Sequence, residues 1–160
     1  MKENAEKLYK EREKRFDDVI ALRVPDRVPI IVSWGFLPAY LAGKTVQEVM
    51  YDPDKLWDVQ WKVTLEFQPD MERNPYALSF LGPVLEALDF KQLRWAGHGL
   101  GPNATYQFVE GEYMKADEYD WFFDDPSDFM LRRYLPRICG KLKGLETLPP
   151  LHNVITYSMG

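Results

Sequence analysis

His98 is the residue whose type and setting best suit contact with a ligand. It stands between Gly97 and Gly99, with Gly101 close behind, and glycines allow a backbone to approach a ligand closely. An imidazole in such a segment can donate or accept a hydrogen bond. The other interpretation is a loop histidine that bonds to its own backbone. The sequence makes His98 a candidate binding residue and leaves both interpretations open.

Trp34 is a second candidate for ligand contact. It follows the β-branched run at residues 28–32, and α/β proteins place their ligands at the carboxyl ends of such strands. An indole in that position would form an apolar wall of a site. The other interpretation is packing in the core, as for most tryptophans.

Familiar cofactor and metal motifs do not occur in the sequence. It contains no G-x-G-x-x-G, no G-x-x-x-x-G-K-[ST], no H-E-x-x-H and no C-x-x-C pattern. His98, His152 and Cys139 are too scattered to indicate zinc ligands, and Cys139 is expected to be a small buried residue. We therefore predict no metal site in this chain and assign no catalytic residue.

The composition is that of a globular protein. The chain has 160 residues, of which 46% are hydrophobic and 28% charged, and its formal net charge is −5; these values exclude a disordered chain and the basic surface of a nucleic-acid-binding protein. Its charged first twenty residues do not resemble a signal peptide, and no apolar run reaches the roughly 18 residues of a membrane span. Since one cysteine cannot form an internal disulfide, we expect a cytoplasmic protein. From the charge and the lack of a membrane span, we expect neither nucleic-acid nor membrane partners.

Hydrophobic spacing predicts helices and strands in alternation in the first half of the chain. Residues 1–24 contain an amphipathic helix, and residues 28–32 form a buried strand. Thr45 and Glu48 fit a capping box at the start of a helix, and Asp52-Pro53 begins another. The inward stripe of that second helix is predicted to be Leu56, Val59, Val63 and Phe67.

The middle of the chain is predicted to hold a strand, a short helix and a long ordered loop. Residues 76–80 form the strand candidate, and the helix runs from Gly82-Pro83 to Leu88. Residues 91–102 are rich in glycine but carry a tryptophan, which indicates an ordered loop rather than a linker. Residues 106–114 are expected to be extended.

Two consecutive helices and a last strand are predicted towards the end of the sequence. Asp117 begins the first helix, Asp125-Pro126 begins the second, and Pro136 ends it. The acidic run around these positions is explained by capping and solvation rather than by metal binding. Residues 154–157 form the last strand candidate. Strand and helix alternation favours an α/β fold.

Three segments of the chain carry a family resemblance. They are Pro25-Asp26-Arg27-Val28-Pro29-Ile30 after the charged helix, the loop Trp34-Gly35-Phe36-Leu37-Pro38-Ala39-Tyr40, and the stretch from Glu112-Tyr113-Met114 to Asp125-Pro126-Ser127-Asp128-Phe129. They resemble the N-terminal part of the uroporphyrinogen decarboxylase superfamily. The third segment is the more specific, and it is similar to decarboxylase-like proteins of anaerobes that stand close to corrinoid methyltransferases.

This resemblance implies a TIM (β/α)₈-type barrel, which takes about 250 residues. Residues 1–160 would then be a single, truncated domain, with 1–24 as its N-terminal helix and 25–160 as the first strands and helices of the barrel. An incomplete barrel leaves strand edges uncovered. We therefore expect a homo-oligomer, or pairing with a complementary half-barrel.

Departures from the family pattern bear on the activity that the resemblance implies. The decarboxylases carry an R-x-A-G-R-Y-L-P loop, and alignment on Leu37-Pro38 puts its two arginine positions on Ile31 and Gly35. The family's aspartate, in an F-S-D-I-L pattern, would fall near Ser79. A substrate with eight carboxylates needs cationic partners. The resemblance thus points to methyl transfer with a corrinoid partner rather than to classical decarboxylation.

In the methyltransferase branch, zinc is bound by a His-x-Cys pair and a later cysteine in the second half of the barrel. Zinc and a corrinoid are accordingly expected only for a complete protein, and the 160-residue chain is expected to be inactive by itself. The implied partner is a tetrapyrrole, a corrinoid or a corrinoid protein, with Trp34 as an apolar wall and His98 as a polar contact. The alternatives are uroporphyrinogen decarboxylation in porphyrin biosynthesis and a non-catalytic oligomeric binding module.

Overall fold

The computed structural model describes residues 2–73 and 81–149 and divides the chain into two compact units, Met1–Phe80 and Leu81–Gly160. Both units contain helices and strands, so the expectation of an α/β protein is confirmed at that level. The strand candidates at 76–80 and 154–157 lie outside the described residues, as do His152 and Ser79.

The first unit is a parallel pair of strands joined by helices. Its elements in chain order are α1 (Lys2–Ile20), β1 (Ile31–Val32), α2 (Leu37–Leu41), α3 (Val46–Tyr51), α4 (Pro53–Phe67) and β2 (Met71–Glu72). Ile31 pairs with Met71 and Val32 with Glu72. Parallel strands are usually joined by a crossover connection, and α2, α3 and α4 provide it between β1 and β2.

Helix starts in this unit follow the capping residues of the sequence. The Thr45 hydroxyl accepts a hydrogen bond from the Glu48 N–H at 3.1 Å, and the Glu48 carboxylate accepts one from the Thr45 N–H at 2.9 Å. The Asp52 carboxylate accepts from the Lys55 N–H at 3.0 Å, with Pro53 in the first turn of α4. Both predicted caps are confirmed.

The core of the first unit lies between α2, α3 and α4. Ala39, Val49, Leu56 and Val59 form one buried cluster, with Phe36 packed against it. Val63 is also buried, which confirms three of the four predicted inward residues of α4. Phe67 is exposed instead: it is the last residue of α4, and its ring lies beside Trp34.

The first strand is shorter and more exposed than its β-branched sequence indicates. β1 contains Ile31 and Val32, and Ile31 is exposed, so the prediction of a buried strand over 28–32 is wrong. Pro29 has no N–H to donate, and the N–H of Ile30 donates to the Asp70 carboxylate at 2.8 Å. The regular ladder therefore begins after these two residues.

The second unit packs helices with a small three-stranded sheet. Its elements are α5 (Gly82–Leu88), β3 (Leu93–Ala96), β4 (Gly99–Leu100), β5 (Tyr106–Phe108), a 3₁₀ turn (Ala116–Glu118), α6 (Tyr119–Asp124), α7 (Pro126–Phe129), a π-helical turn (Met130–Tyr134), α8 (Leu135–Ile138) and a 3₁₀ helix (Gly140–Thr147). The predicted helix from Gly82 to Leu88 is confirmed.

The sheet of the second unit occupies a stretch that we predicted to be a loop. β3 is central, antiparallel to β5 and parallel to the short β4. Only two residues join β3 to β4, and this tight link is possible because Gly97 and Gly99 adopt positive φ angles of 78° and 81°. The loop prediction for 91–102 is therefore wrong over these strands.

The helical stretch from 126 onwards continues past Pro136. The Asp125 carboxylate caps its start by accepting from the Asp128 N–H at 3.0 Å, as predicted. Pro136 does not end the helix: it is the second residue of α8, directly after the π-helical turn, and a proline is tolerated in the first turn of a helix. Trp95, Phe129, Ile138 and Cys139 are buried, which confirms Cys139 as a buried residue.

Within the described ranges, no helix combines the length and the apolar character needed to cross a membrane.

Candidate functional site

Trp34 lies where the two parallel strands of the first unit end. One residue, Ser33, separates it from the end of β1, and Glu72 is the last residue of β2. Since parallel strands run in the same direction, the segments after β1 and β2 emerge at the same edge of the pair. This is the edge at which open α/β sheets bind ligands. Gly35, with φ +56°, turns the chain directly after Trp34.

The Trp34 side chain is fixed by contacts on α4. Its indole Nε1–H donates to the Thr64 hydroxyl at 3.0 Å, and its ring lies 5.6 Å from that of Phe67, tilted by 53°. The Thr64 hydroxyl in turn donates to the carboxylate of Glu72. A chain of hydrogen bonds thus connects the end of β1, through α4, to the end of β2, and the half-buried indole has a defined orientation.

A cleft of about 180 Å³ lies between α4 and the end of β2. It is lined by Trp57, Gln60, Trp61 and Glu72. The indoles of Trp57 and Trp61 are stacked, with centroids 6.0 Å apart and planes within 12°. Gln60 is a buried residue of α4, and its Nε2 donates a hydrogen bond to the Gly35 carbonyl at 3.4 Å.

This cleft is not among the sites predicted from the sequence. Trp57 and Trp61 are four residues apart on one helix, and that spacing was available as a signal of a shared face. The contribution of Glu72 could not be predicted in this way, because it depends on β2 lying beside β1.

A second polar cluster in the first unit lies at the opposite, amino ends of the strands. The side chain of Asp70, directly before β2, is completely buried and accepts hydrogen bonds from Arg15, Arg27 and the N–H of Ile30. Burial opposes ionisation of Asp70, but these donors outweigh it and lower its pKa. All the donors are supplied by the protein itself, so the cluster is a structural ion-pair network.

His98, the other predicted contact residue, lies in the second unit between β3 and β4. Its imidazole stacks on the indole of Trp95, with centroids 4.2 Å apart and planes within 7°. Its backbone N–H donates to the Trp95 carbonyl at 2.8 Å, and its carbonyl accepts from the Trp95 N–H at 3.1 Å. The ring is exposed on one side of a buried tryptophan, and its role in ligand binding stays a prediction.

Cys139 has no features of a reactive thiol. Burial, and then the nearby Asp89 carboxylate, raise the pKa of its side chain, whereas a nucleophilic cysteine needs a lowered pKa.

Metal ligation finds no support in the described side chains. Within residues 2–73 and 81–149, no three of the histidine, cysteine, aspartate and glutamate side chains come together as a ligand set. The zinc ligands that the family resemblance implies belong to the second half of the barrel, so zinc in a complete protein stays a prediction.

Comparison with known proteins identifies no relative: no family model, no curated protein and no solved structure matches the chain.

Proposed function

We propose that the first unit belongs to a decarboxylase-like (β/α)₈ barrel and binds a corrinoid or related tetrapyrrole beside Trp34. In the complete protein the reaction is methyl transfer with a corrinoid partner. One observation carries the proposal: an oriented tryptophan stands at the carboxyl end of a parallel strand pair, the end at which barrel enzymes bind their ligands.

Three features of the first unit support this proposal. Its β1–helices–β2 order is the repeating unit of such a barrel. Its Trp34 indole is half-buried, so one part is held by Thr64 and Phe67 while another part is accessible. An apolar ring of this kind suits the face of a macrocycle. His98 lies in the second unit, and its contact with a ligand stays a separate prediction that is not part of this site.

Methyl transfer is favoured over decarboxylation by the residues of β1 and of the loop that follows it. Where the decarboxylase pattern has arginines, this chain has Ile31 and Gly35, which cannot bind carboxylates. The zinc expected for the methyltransferase branch belongs to the complete protein, and no step is assigned to it here. A cytoplasmic location remains part of the proposal.

A non-catalytic binding module is the second candidate function. Ile20, Leu22, Val24 and Val28 are all about four-fifths or more exposed. Apolar residues so close together in sequence favour burial against another protein, here a second copy or a complementary half-barrel. Light scattering tests this candidate: a defined dimer supports it, and a monomer at high concentration contradicts it.

The binding proposal is tested by gel filtration of the purified chain with hydroxocobalamin, and separately with coproporphyrin, followed by visible absorbance. We expect hydroxocobalamin to co-elute with the wild type, and we expect Trp34→Leu to weaken binding about tenfold, the loss of about 1.4 kcal/mol. Trp121→Leu, which removes an exposed indole from the second unit, is the matched control.

His98→Ala tests the separate prediction for His98 in the same assay. Failure of the wild type to retain either macrocycle would overturn the proposal, and so would equal binding by Trp34→Leu and the wild type. Retention of coproporphyrin without hydroxocobalamin would favour the decarboxylase alternative instead.

A further inference from the structure

We propose that the cleft lined by Trp57, Gln60, Trp61 and Glu72 binds a small organic cation, of the kind represented by a quaternary ammonium group. The proposal is independent of the corrinoid site, since it rests on different side chains and a different ligand chemistry.

The aromatic part of the cleft is the stacked pair on α4. Trp57 and Trp61 are 47% and 52% exposed, with nearly parallel planes and centroids 6.0 Å apart. Each indole has a negative electrostatic potential over its ring face, and tryptophan is the aromatic residue that attracts cations most strongly. The two indoles at this cleft therefore provide an aromatic surface on which an alkylated ammonium group can gain attraction from an exposed ring face.

The carboxylate of Glu72 lines the same cleft. One of its oxygens, Oε2, accepts a hydrogen bond from the Thr64 hydroxyl, which is itself oriented by the indole N–H of Trp34. Among the described residues, no lysine, arginine or histidine forms an ion pair with Glu72. The carboxylate is thus held in place by neutral groups, and its negative charge is left to attract a cation at the cleft.

Gln60 adds to the negative character of the lining. Its Nε2 donates to the Gly35 carbonyl, whereas its Oε1 is buried and has no hydrogen-bond partner among the described residues. Buried polar atoms are nearly always paired. Because this oxygen is not accessible to solvent, it can act on a ligand in the cleft through the electrostatic field of the amide and not by direct contact.

The size of the cleft limits the ligand to a small group. Its volume of about 180 Å³ is below the roughly 300 Å³ at which pockets for drug-sized molecules begin. A macrocycle does not fit, and one ammonium headgroup with its methyl groups is the appropriate scale. A neutral sugar would also stack on the indoles, so the test must separate charge from shape.

Choline and its uncharged analogue 3,3-dimethyl-1-butanol make that separation, since they share a shape and differ in the positive charge. The full chain is titrated with each, and binding is followed by the NMR shifts of the indole N–H groups. We expect choline to bind in the millimolar range and the analogue to bind about tenfold more weakly, because the cation–π and carboxylate attractions are lost.

Two variants with matched controls locate the effect. Glu72→Gln removes the charge and keeps an acceptor for Thr64, and we expect it to weaken choline binding about tenfold. Its control is Glu66→Gln, which removes the same charge from an exposed position on α4 and should leave choline binding unchanged. Trp61→Leu should weaken binding, with Trp121→Leu as its control.

Equal affinity for choline and its analogue would overturn the proposal, as would equal effects of Glu72→Gln and Glu66→Gln. Glucose binding at the same indoles without choline binding would also overturn it. A chain that binds choline but no hydroxocobalamin would support this site and contradict the corrinoid proposal, so the two proposals fail separately.

Discussion

Asp70 and Arg27 form a bidentate ion pair, with Nη1 of the arginine 2.5 Å from Oδ2 and Nη2 2.7 Å from Oδ1 of the aspartate. The pair is reinforced by Arg15, whose Nη1 lies 2.8 Å from Oδ1, and by the N–H of Ile30. Through these bonds one buried carboxylate connects α1, the entry to β1 and the start of β2.

Asp70→Asn is expected to lower the free energy of unfolding by about 3 kcal/mol. The amide leaves two arginines without their shared carboxylate, and removal of one partner from a buried ion pair is costly. Urea unfolding followed by circular dichroism measures the loss. Asp58→Asn is the matched control, because it removes an exposed carboxylate paired with Lys62 and should cost at most about 0.5 kcal/mol. Equal losses in the two variants would contradict the structural role of Asp70.

The second unit is expected to lose stability in acid, because the ionised Glu118 side chain stabilises it at neutral pH. Hydrogen bonding to the guanidinium of Arg137 lowers the pKa of Glu118 to about 2 from its ordinary value of 4.5. A group whose pKa is lower in the folded state contributes stability that is fully present above the unfolded value and is lost as pH falls through the folded value. The contribution should therefore be complete above about pH 4.5 and disappear towards pH 2.

Urea midpoints of the wild type and Glu118→Gln, measured at a series of pH values, check this expectation. The variant lacks the titrating group, so the difference between the two proteins should shrink across that window. A difference that is constant with pH would show that the Glu118–Arg137 pair does not contribute in this way.

Thr45→Ala is expected to destabilise the first unit by about 1 kcal/mol, the usual cost of losing a helix cap. The hydroxyl accepts the N–H of Glu48, which has no partner within the helix. Thermal unfolding measures the effect, and Thr45→Ser should restore most of the stability because it keeps the hydroxyl. A Ser variant as unstable as the Ala variant would mean that the methyl group, not the cap, matters.

Gly140→Ala is expected to lower stability by about 1 kcal/mol. A Cβ at this position would stand 2.0 Å from Oδ2 of Asp89, so the aspartate would have to turn away from its ion pair with Lys91. Gly144→Ala, in the same 3₁₀ helix, is the control, since its Cβ would meet nothing within 4 Å. Calorimetric melting temperatures compare the two, and a Gly144 variant as unstable as the Gly140 variant would refute the steric explanation.

Local features of the fold could be predicted from the sequence, because they depend on residues three or four positions apart. The capping box of Thr45 and Glu48 and the cap of Asp125 are of this kind. Pro136 shows the limit of such reasoning. A proline in a helical pattern normally marks the end of a helix, but here Pro136 follows a π-helical turn that no local pattern indicates and lies in the first turn of α8.

The features that tertiary contacts create were not predictable in the same way. β3 lies in a glycine-rich stretch, and it becomes a strand because Leu93, Arg94 and Trp95 pair with β5. In the candidate site, Trp34 was found from its position after a β-branched run. Its hydrogen bond to Thr64, 30 residues later, and the relay to Glu72 depend on how α4 packs against the strands.

The ion pairs of Asp70 also set the order in which this unit can assemble on the ribosome. Arg15 and Arg27 precede Asp70 by 55 and 43 residues. Their shared carboxylate is synthesised only after α1 through α4 have left the peptidyl-transferase centre. The contact between Arg15 of α1 and Asp70 therefore cannot form until Asp70 has been synthesised, and closing this long loop is an entropic cost that local helix formation does not carry. Nascent chains stalled before and after Asp70 emerges would differ in whether α1 resists proteolysis.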